Sequence, residues 1–168
     1  MKPLSVDLPY PTLEGLSPDC LSLGIISPAY ASAEGELNAT LQYIYHSFAF
    51  WNTGHEEWAQ DLQAIAISEM HHLDLLGKTI TKLGAKPVYC LNPATFFSFY
   101  STKFVSYSNT LLHMIEDDIL SEKHAIAQYE KMLKRLKNEQ VIKIVSRILE
   151  DEFLHLKKFE EILSKLKG

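Results

Sequence analysis

The sequence predicts an all-α fold: four helices arranged as two hairpins, joined by a long crossover and preceded by an extended arm. Three observations lead there. From Ser32 onward, apolar residues recur at helical spacing. Two turn signals, Asn52-Thr53-Gly54 and Asn138, each divide a pair of such segments. Between the pairs lies an aromatic-rich stretch, residues 85–107, carrying Pro87 and Pro93.

Residues 1–31 read as the arm and residues 32–168 as one bundle domain. Pro3, Pro9, Pro11, Pro18 and Pro28 all fall in the arm. Proline removes a backbone donor and disfavours helix in the residue before it. Leu4, Val6 and Leu8 alternate as in an extended segment. Ser32 is the expected N-cap of the first bundle helix, whose Leu37, Leu41, Ile44, Tyr45 and Phe48 sit at helical spacing. The second helix is expected from about His55 to Leu83, where Gly84 offers a left-handed cap and Pro87 blocks continuation. Ser108 or Asn109 is expected to cap the third, which runs to about Lys137. The fourth fills Glu139 to about Lys167.

A chain of 168 residues suits one domain with a sizeable core. Net charge is −5, and no basic stripe with interleaved aromatics exists, so nucleic acid is excluded as an expected partner. No apolar run is long enough to span a bilayer and no signal-peptide pattern stands at Met1, which gives a cytoplasmic expectation. Cys20 and Cys90 stand alone, and without Cys-x-x-Cys a rubredoxin-type iron site or a zinc ribbon is excluded.

The chemistry lies in a repeated pattern. Glu36 is followed by Ala39 and Tyr43, and then by Glu69-Met-His-His72. Glu122 is followed by Ala125 and Tyr129, and then by Glu152-Phe-Leu-His155. Isolated Glu-x-x-His matches occur by composition alone. Here each falls on the second helix of a hairpin, one helix after a Glu-x-x-Ala-x-x-x-Tyr. Four carboxylates and two imidazoles on four helices form the ligand set of a di-iron or di-manganese bundle. Glu36, Glu69, His72, Glu122, Glu152 and His155 are therefore the candidate metal ligands.

Turn arithmetic tests whether they meet. Glu36 and Glu69 lie at nearly equal distances from the first turn, and Glu122 and Glu152 from the second. In antiparallel hairpins equal distance means equal height, so the carboxylates share a layer within about one helical turn of 5.4 Å. Residues at i and i+3 share a face, so His72 and His155 point with their glutamates. His46, His55, His71, His113 and His124 miss this layer or its face and are expected at the surface or behind the ligands. Tyr43 and Tyr129 are expected in the core, with a hydrogen bond to a ligand as their functional role. Asp118, one turn before Glu122, remains open as an added ligand, and Glu116 and Glu150 as replacements if a helix register differs. Converging buried carboxylates repel, and two divalent cations would neutralise them; carboxylate and imidazole donors suit manganese or iron.

At these residues the sequence resembles the ferritin-like superfamily. Glu36-Leu-x-Ala-x-Leu-x-Tyr43 and Glu69-x-x-His72-Leu-x-x-Leu-Gly, with Leu83-Gly84-Ala-x-Pro87, resemble manganese catalases and spore-coat catalase-like proteins. Glu122-x-x-Ala-x-x-x-Tyr129 with Glu152-x-x-His155 is similar to rubrerythrins. The resemblance covers roughly residues 28–166 and implies a ferritin-like four-helix bundle holding two divalent ions, manganese or iron. It implies that Glu36, Glu69 and His72 serve one ion and Glu122 and His155 the other, with Glu69 bridging. For Glu152 it implies either a second bridge, as in ferritins and rubrerythrins, or an outer-sphere proton shuttle, as in manganese catalases. The implied activity is catalase- or peroxidase-like, with hydrogen peroxide or dioxygen as substrate, a separate electron donor and a homo-oligomer. Iron oxidation or a structural role, for example in a spore coat, stands as the alternative.

Overall fold

The computed structural model describes residues 1–95 and 98–168; Phe96 and Phe97 of the expected crossover lie outside the described residues. Its helices are α1 (Cys20–Ala31), α2 (Glu36–Asn52), α3 (Glu56–Lys82), α4 (Leu111–Leu133) and α5 (Glu139–Lys167). Helices α2 and α3 form one tight hairpin, and α4 and α5 the other. The crossover between them carries a short 3-10 turn at Thr102–Phe104 and an isolated antiparallel bridge between Cys90 and Phe99. This is the expected ferritin-like four-helix topology.

Boundaries differ from expectation in instructive places. Residues 20–31, expected to be extended, are helical despite Pro28. Asp19 caps α1 by accepting from the amides of Leu21 and Ser22, 3.1 Å each. The helix then buries Ile25, Ile26, Ala29 and Tyr30 in the bundle core. Burial of four apolar side chains, about 1.5–3 kcal/mol for each large one, outweighs the cost of one proline near the helix end. Ser32 closes α1 and does not cap α2, which begins at Glu36 with Gly35 as its N-cap. Thr110, rather than Ser108 or Asn109, caps α4, whose helix stops at Leu133. Asn138 caps α5 by accepting from Gln140 and Val141. Gly84 follows α3 at φ 103°, the left-handed conformation expected of it.

Gly35 has a steric reason to be glycine. A Cβ there would lie 2.7 Å from the carbonyl oxygen of Ala29 and 2.9 Å from the amide nitrogen of Ser32. The neighbours are backbone and cannot swing aside. Gly35→Ala is therefore expected to cost about 1–3 kcal/mol, the range for an overpacked site, read as a lower urea midpoint with an unchanged slope.

Two apolar layers divide the core. One joins α1 to Leu76, Ile80, Tyr129, Met132, Val141, Ile144 and Ile148. The other, nearer the hairpin turn of α2 and α3, joins Tyr43, Phe50, Leu62, Ile65, Met114, Ile115 and Phe159. The polar layer of the Glu-x-x-His motifs lies between them. Because α2 starts at Glu36, within that layer, α1 supplies the apolar side chains that α2 lacks beyond it. The arm, residues 1–19, runs over α3 and α5, with the Leu4 amide donating to Ala64 (3.0 Å).

Candidate metal centre

All six residues singled out by the motif converge between the two core layers. Glu36 is 4% exposed, Glu152 2%, Glu122 1%, and Glu69, His72 and His155 0%. They form two overlapping groups in which each residue offers one donor atom within 4.8 Å of the others: Glu36, Glu69, His72 and Glu152, and Glu69, Glu122, Glu152 and His155. Glu69 and Glu152 belong to both.

The imidazoles are oriented from behind. His72 Nε2 lies 3.0 Å from Asp151 Oδ2. His155 Nε2 lies 2.8 Å from the carbonyl oxygen of Leu4. Both partners only accept, so Nε2 carries the proton in each ring and Nδ1 faces the centre. His72 Nδ1 sits 3.0 Å from Glu69 Oε2, 3.1 Å from Glu152 Oε1 and 3.5 Å from Glu36 Oε2. His155 Nδ1 sits 2.7 Å from Glu69 Oε1 and 4.0 Å from Glu122 Oε2.

The donor set fits a metal pair. Glu69 Oε1, Glu122 Oε2, Glu152 Oε1 and His155 Nδ1 are buried without a hydrogen-bond partner. His155 Nδ1 and Glu69 Oε1 are close enough to bond but not aligned to do so. Four unpartnered donor atoms gathered around common points suit shared cations. The oxygen and nitrogen donors, with no thiolate among them, suit manganese, iron or zinc more than copper(I).

The tyrosines of the two half-motifs exchange partners. Tyr43 on α2 donates to Glu122 Oε1 on α4 at 2.6 Å. Tyr129 on α4 donates to Glu36 Oε1 on α2. Burial, and then the adjacent carboxylate, pushes both phenols well above their ordinary pKa, so they remain donors.

Protons balance the site without metal. Burial and then the Glu69 charge raise Glu36 to about 8; the same two causes, joined by Glu36, raise Glu152 to about 8. Burial and Glu152 push Glu122 well above the carboxylate range. Burial works against ionising Glu69, yet the His155 and His72 imidazoliums hold it far below that range. Burial likewise opposes charging His72, but Glu36 and Glu69 carry it well above its usual value.

Other titratable residues are placed elsewhere. Glu116 pairs with Lys167 at the surface, Glu150 is exposed, and His71, His113 and His124 are exposed. His55 stacks on Trp58 at the hairpin turn. His46 is fully buried behind the site: Nδ1 contacts Asp118 at 2.8 Å and Nε2 the Ser106 carbonyl at 3.0 Å. Asp118 also accepts from Gln42, so it ties α4 to α2, while His46 and Gln42 hold Ser106 of the crossover; it stands in neither four-residue group.

Sequence reasoning missed Asp151, Arg147, Tyr10 and the Leu4 carbonyl. Asp151 accepts from Val6 N (2.8 Å) and Tyr10 Oη (2.7 Å) besides His72, with Arg147 Nη1 2.8 Å away. Burial opposes its ionisation, but the bonds from His72, Tyr10 and the Val6 amide hold its carboxyl down at about 2. Its position directly before Glu152, and four residues after Arg147, was the available signal.

A bundle of two hairpins with one buried, four-carboxylate, two-histidine layer defines a ferritin-like metal-binding class. The ferritin-like domain family model matches residues 32–168, and the chain belongs to that family. A probable manganese catalase from Clostridium acetobutylicum is 25% identical over 154 residues, 81% of this chain and 67% of that protein. A bacterioferritin from Desulfovibrio desulfuricans is 28% identical over 136 residues, 79% of this chain and 70% of that protein. Among solved structures, a manganese catalase from Anabaena PCC7120 superposes with a TM-score of 0.80 at 22% identity, covering 96% of this chain and 80% of its own. The D. desulfuricans bacterioferritin superposes at 0.72 with 27% identity, covering 87% and 80%.

Proposed function

We propose that the six-residue layer holds two divalent ions, manganese or iron, and that the protein is an oxidoreductase acting on hydrogen peroxide. The observation that carries this reading is the pair of four-residue groups sharing Glu69 and Glu152. Glu36 and His72 complete one position, and Glu122 and His155 the other. Two divalent charges offset four carboxylates. When bound, the ions supply the electrons for peroxide chemistry and a clamp for both substrate oxygens.

The chain's own residues provide the rest. Burial of all six at 4% exposure or less suits a substrate no larger than peroxide or dioxygen. Asp151 and the Leu4 carbonyl keep Nδ1 of each histidine aimed inward. Tyr43 and Tyr129 hold Glu122 and Glu36 and limit their swing. Glu152 stands in both groups as a second shared ligand; the proton-shuttle role belongs to it only where it does not bridge the ions. Phe48, Trp51 and Met70, exposed on α2 and α3, support assembly as a homo-oligomer. No helix among the described residues is long and apolar enough to cross a membrane, and the reading includes a cytoplasmic location.

A second reading, ferrous-iron oxidation, is favoured by one observation: Glu152 belongs to both groups, the arrangement implied by ferritin and rubrerythrin resemblance. Manganese-loaded and iron-loaded protein separate the two. Oxygen release from peroxide, or peroxide consumption with an added reductant, is expected. Absence of both, with ferrous oxidation and a retained mineral in its place, would transfer the assignment to iron handling.

A further inference from the structure

The two histidines of the centre are supported by unlike groups. His72 is held by a carboxylate, Asp151 on α5, and His155 by a backbone carbonyl, that of Leu4 in the arm. The internal repeat makes the contrast specific. Ser68 precedes Glu69 as Asp151 precedes Glu152, so Ser68 occupies the position from which a carboxylate would reach His155. Its hydroxyl instead bonds that of Ser5 at 2.7 Å, and the neighbouring Leu4 amide bonds Ala64 on the same helix at 3.0 Å.

The arm is fastened at further points around the other histidine. The Val6 amide and Tyr10 hydroxyl donate to Asp151. Arg147 donates through Nε and Nη2 to the Leu8 carbonyl, and through Nη2 to that of Val6. The Leu4 side chain packs on the core layer beside the site. An arm serving only to cover apolar surface would not need its backbone polar groups aimed at the supports of both imidazoles.

On the reading that this layer binds two ions, we propose that the N-terminal arm is part of the metal centre, with Leu4 the positioning residue for His155 in place of the missing carboxylate at Ser68. A neutral carbonyl is a weaker acceptor than a carboxylate. It leaves the His155 ring less basic than the His72 ring. The two positions are therefore unequal: the Glu36/His72 position fills first, and the Glu122/His155 position depends on the docked arm.

Full-length protein and manganese(II) alone test this, by equilibrium dialysis with metal counting and by electron paramagnetic resonance. The wild type is expected to bind two ions in two steps, ending in a spin-coupled pair. Leu4→Ala with Ser5→Ala, which loosens the arm tip and leaves every ligand in place, is expected to weaken only the second step. Loss of the group behind a metal-bound histidine typically costs about 10–100-fold in affinity. The coupled signal should give way to that of a single ion. Adding Ser68→Asp is expected to restore the second ion. Hydrogen exchange on the wild type provides an independent check, since coupling is reciprocal: manganese loading should slow exchange of the Leu4 and Val6 amides. Equal weakening of both steps, no weakening, or unchanged amide exchange overturns the proposal while the metal pair stands. A wild type that binds no pair overturns the metal-centre reading and the proposal with it.

Discussion

Glu69→Gln is expected to empty both metal positions and to abolish peroxide turnover, while the protein stays helical. Glu69 is the residue most deeply shared: Oε2 lies 3.0 Å from His72 Nδ1 and Oε1 lies 2.7 Å from His155 Nδ1. It stands in both four-residue groups and is fully buried. A glutamine keeps the shape but turns one of its two oxygens into an NH₂ donor, aimed where a cation would sit. It also removes one negative charge from a set that two divalent ions offset. Glu36→Gln differs, because Glu36 belongs to one group only; one ion should remain. Elemental analysis after dialysis reads the contrast directly: none for Glu69→Gln, one for Glu36→Gln, two for wild type. Activity should fall at least 100-fold in Glu69→Gln, about 2.7 kcal/mol of barrier or more. Two ions retained in Glu69→Gln, with helicity intact by circular dichroism, would contradict its role as the shared carboxylate.

The layer was legible in the sequence because its determinants are local and periodic. The i, i+3 spacing of Glu69-His72 and Glu152-His155 fixes a helix face, and distance from two short turns fixes a height. Neither depends on knowing how the helices pack. What escaped reading depends on packing. Pro28 argues against helix around it, yet Ile25, Ile26, Ala29 and Tyr30 find a buried face that overrides this preference. His46, ten residues past Glu36 and about 80° off its face, takes the second of its two expected places, behind the ligands; what receives it there was not legible. A bundle helix also buries the flank facing a crossover, and there Asp118 and the Ser106 carbonyl receive it. The Leu4 carbonyl left no trace, because a backbone oxygen has no residue-type signature. Asp151 had one, its adjacency to Glu152, but that becomes meaningful only when the repeat is read for its difference, Asp151 against Ser68.

Metal removal should make stability fall as pH rises, the reverse of what acid denaturation would lead one to expect. In the metal-free protein Glu36 and Glu152 are raised from 4.5 to about 8 by burial and by neighbouring carboxylates, and Glu122 is likewise raised well above the ordinary carboxylate range. His155 and His72 are raised as well, their carboxylate neighbours outweighing burial. Each of these groups binds its proton more tightly folded than unfolded. Between about pH 4.5 and 8 the folded state therefore holds more protons, and the unfolding free energy declines as pH increases. Glu69 contributes with the opposite sign: its lowered value stabilises the fold above the ordinary carboxylate pKa, and this is lost only below that. The metal-free melting temperature should be highest near pH 5 and lower by at least about 5 °C at pH 8, since 1 kcal/mol moves a chain of this size by about 2–4 °C. Metal competes for the same sites, and its ligands bind it deprotonated, so its stabilisation should grow over the same interval. Calorimetric titration of manganese(II) at pH 6.5, in two buffers of different ionisation enthalpy, should report proton release. A metal-free melting temperature that stays flat or rises between pH 5 and 8, with no protons released on binding, would mean that the buried carboxylates are already ionised and that something other than protons balances their charge.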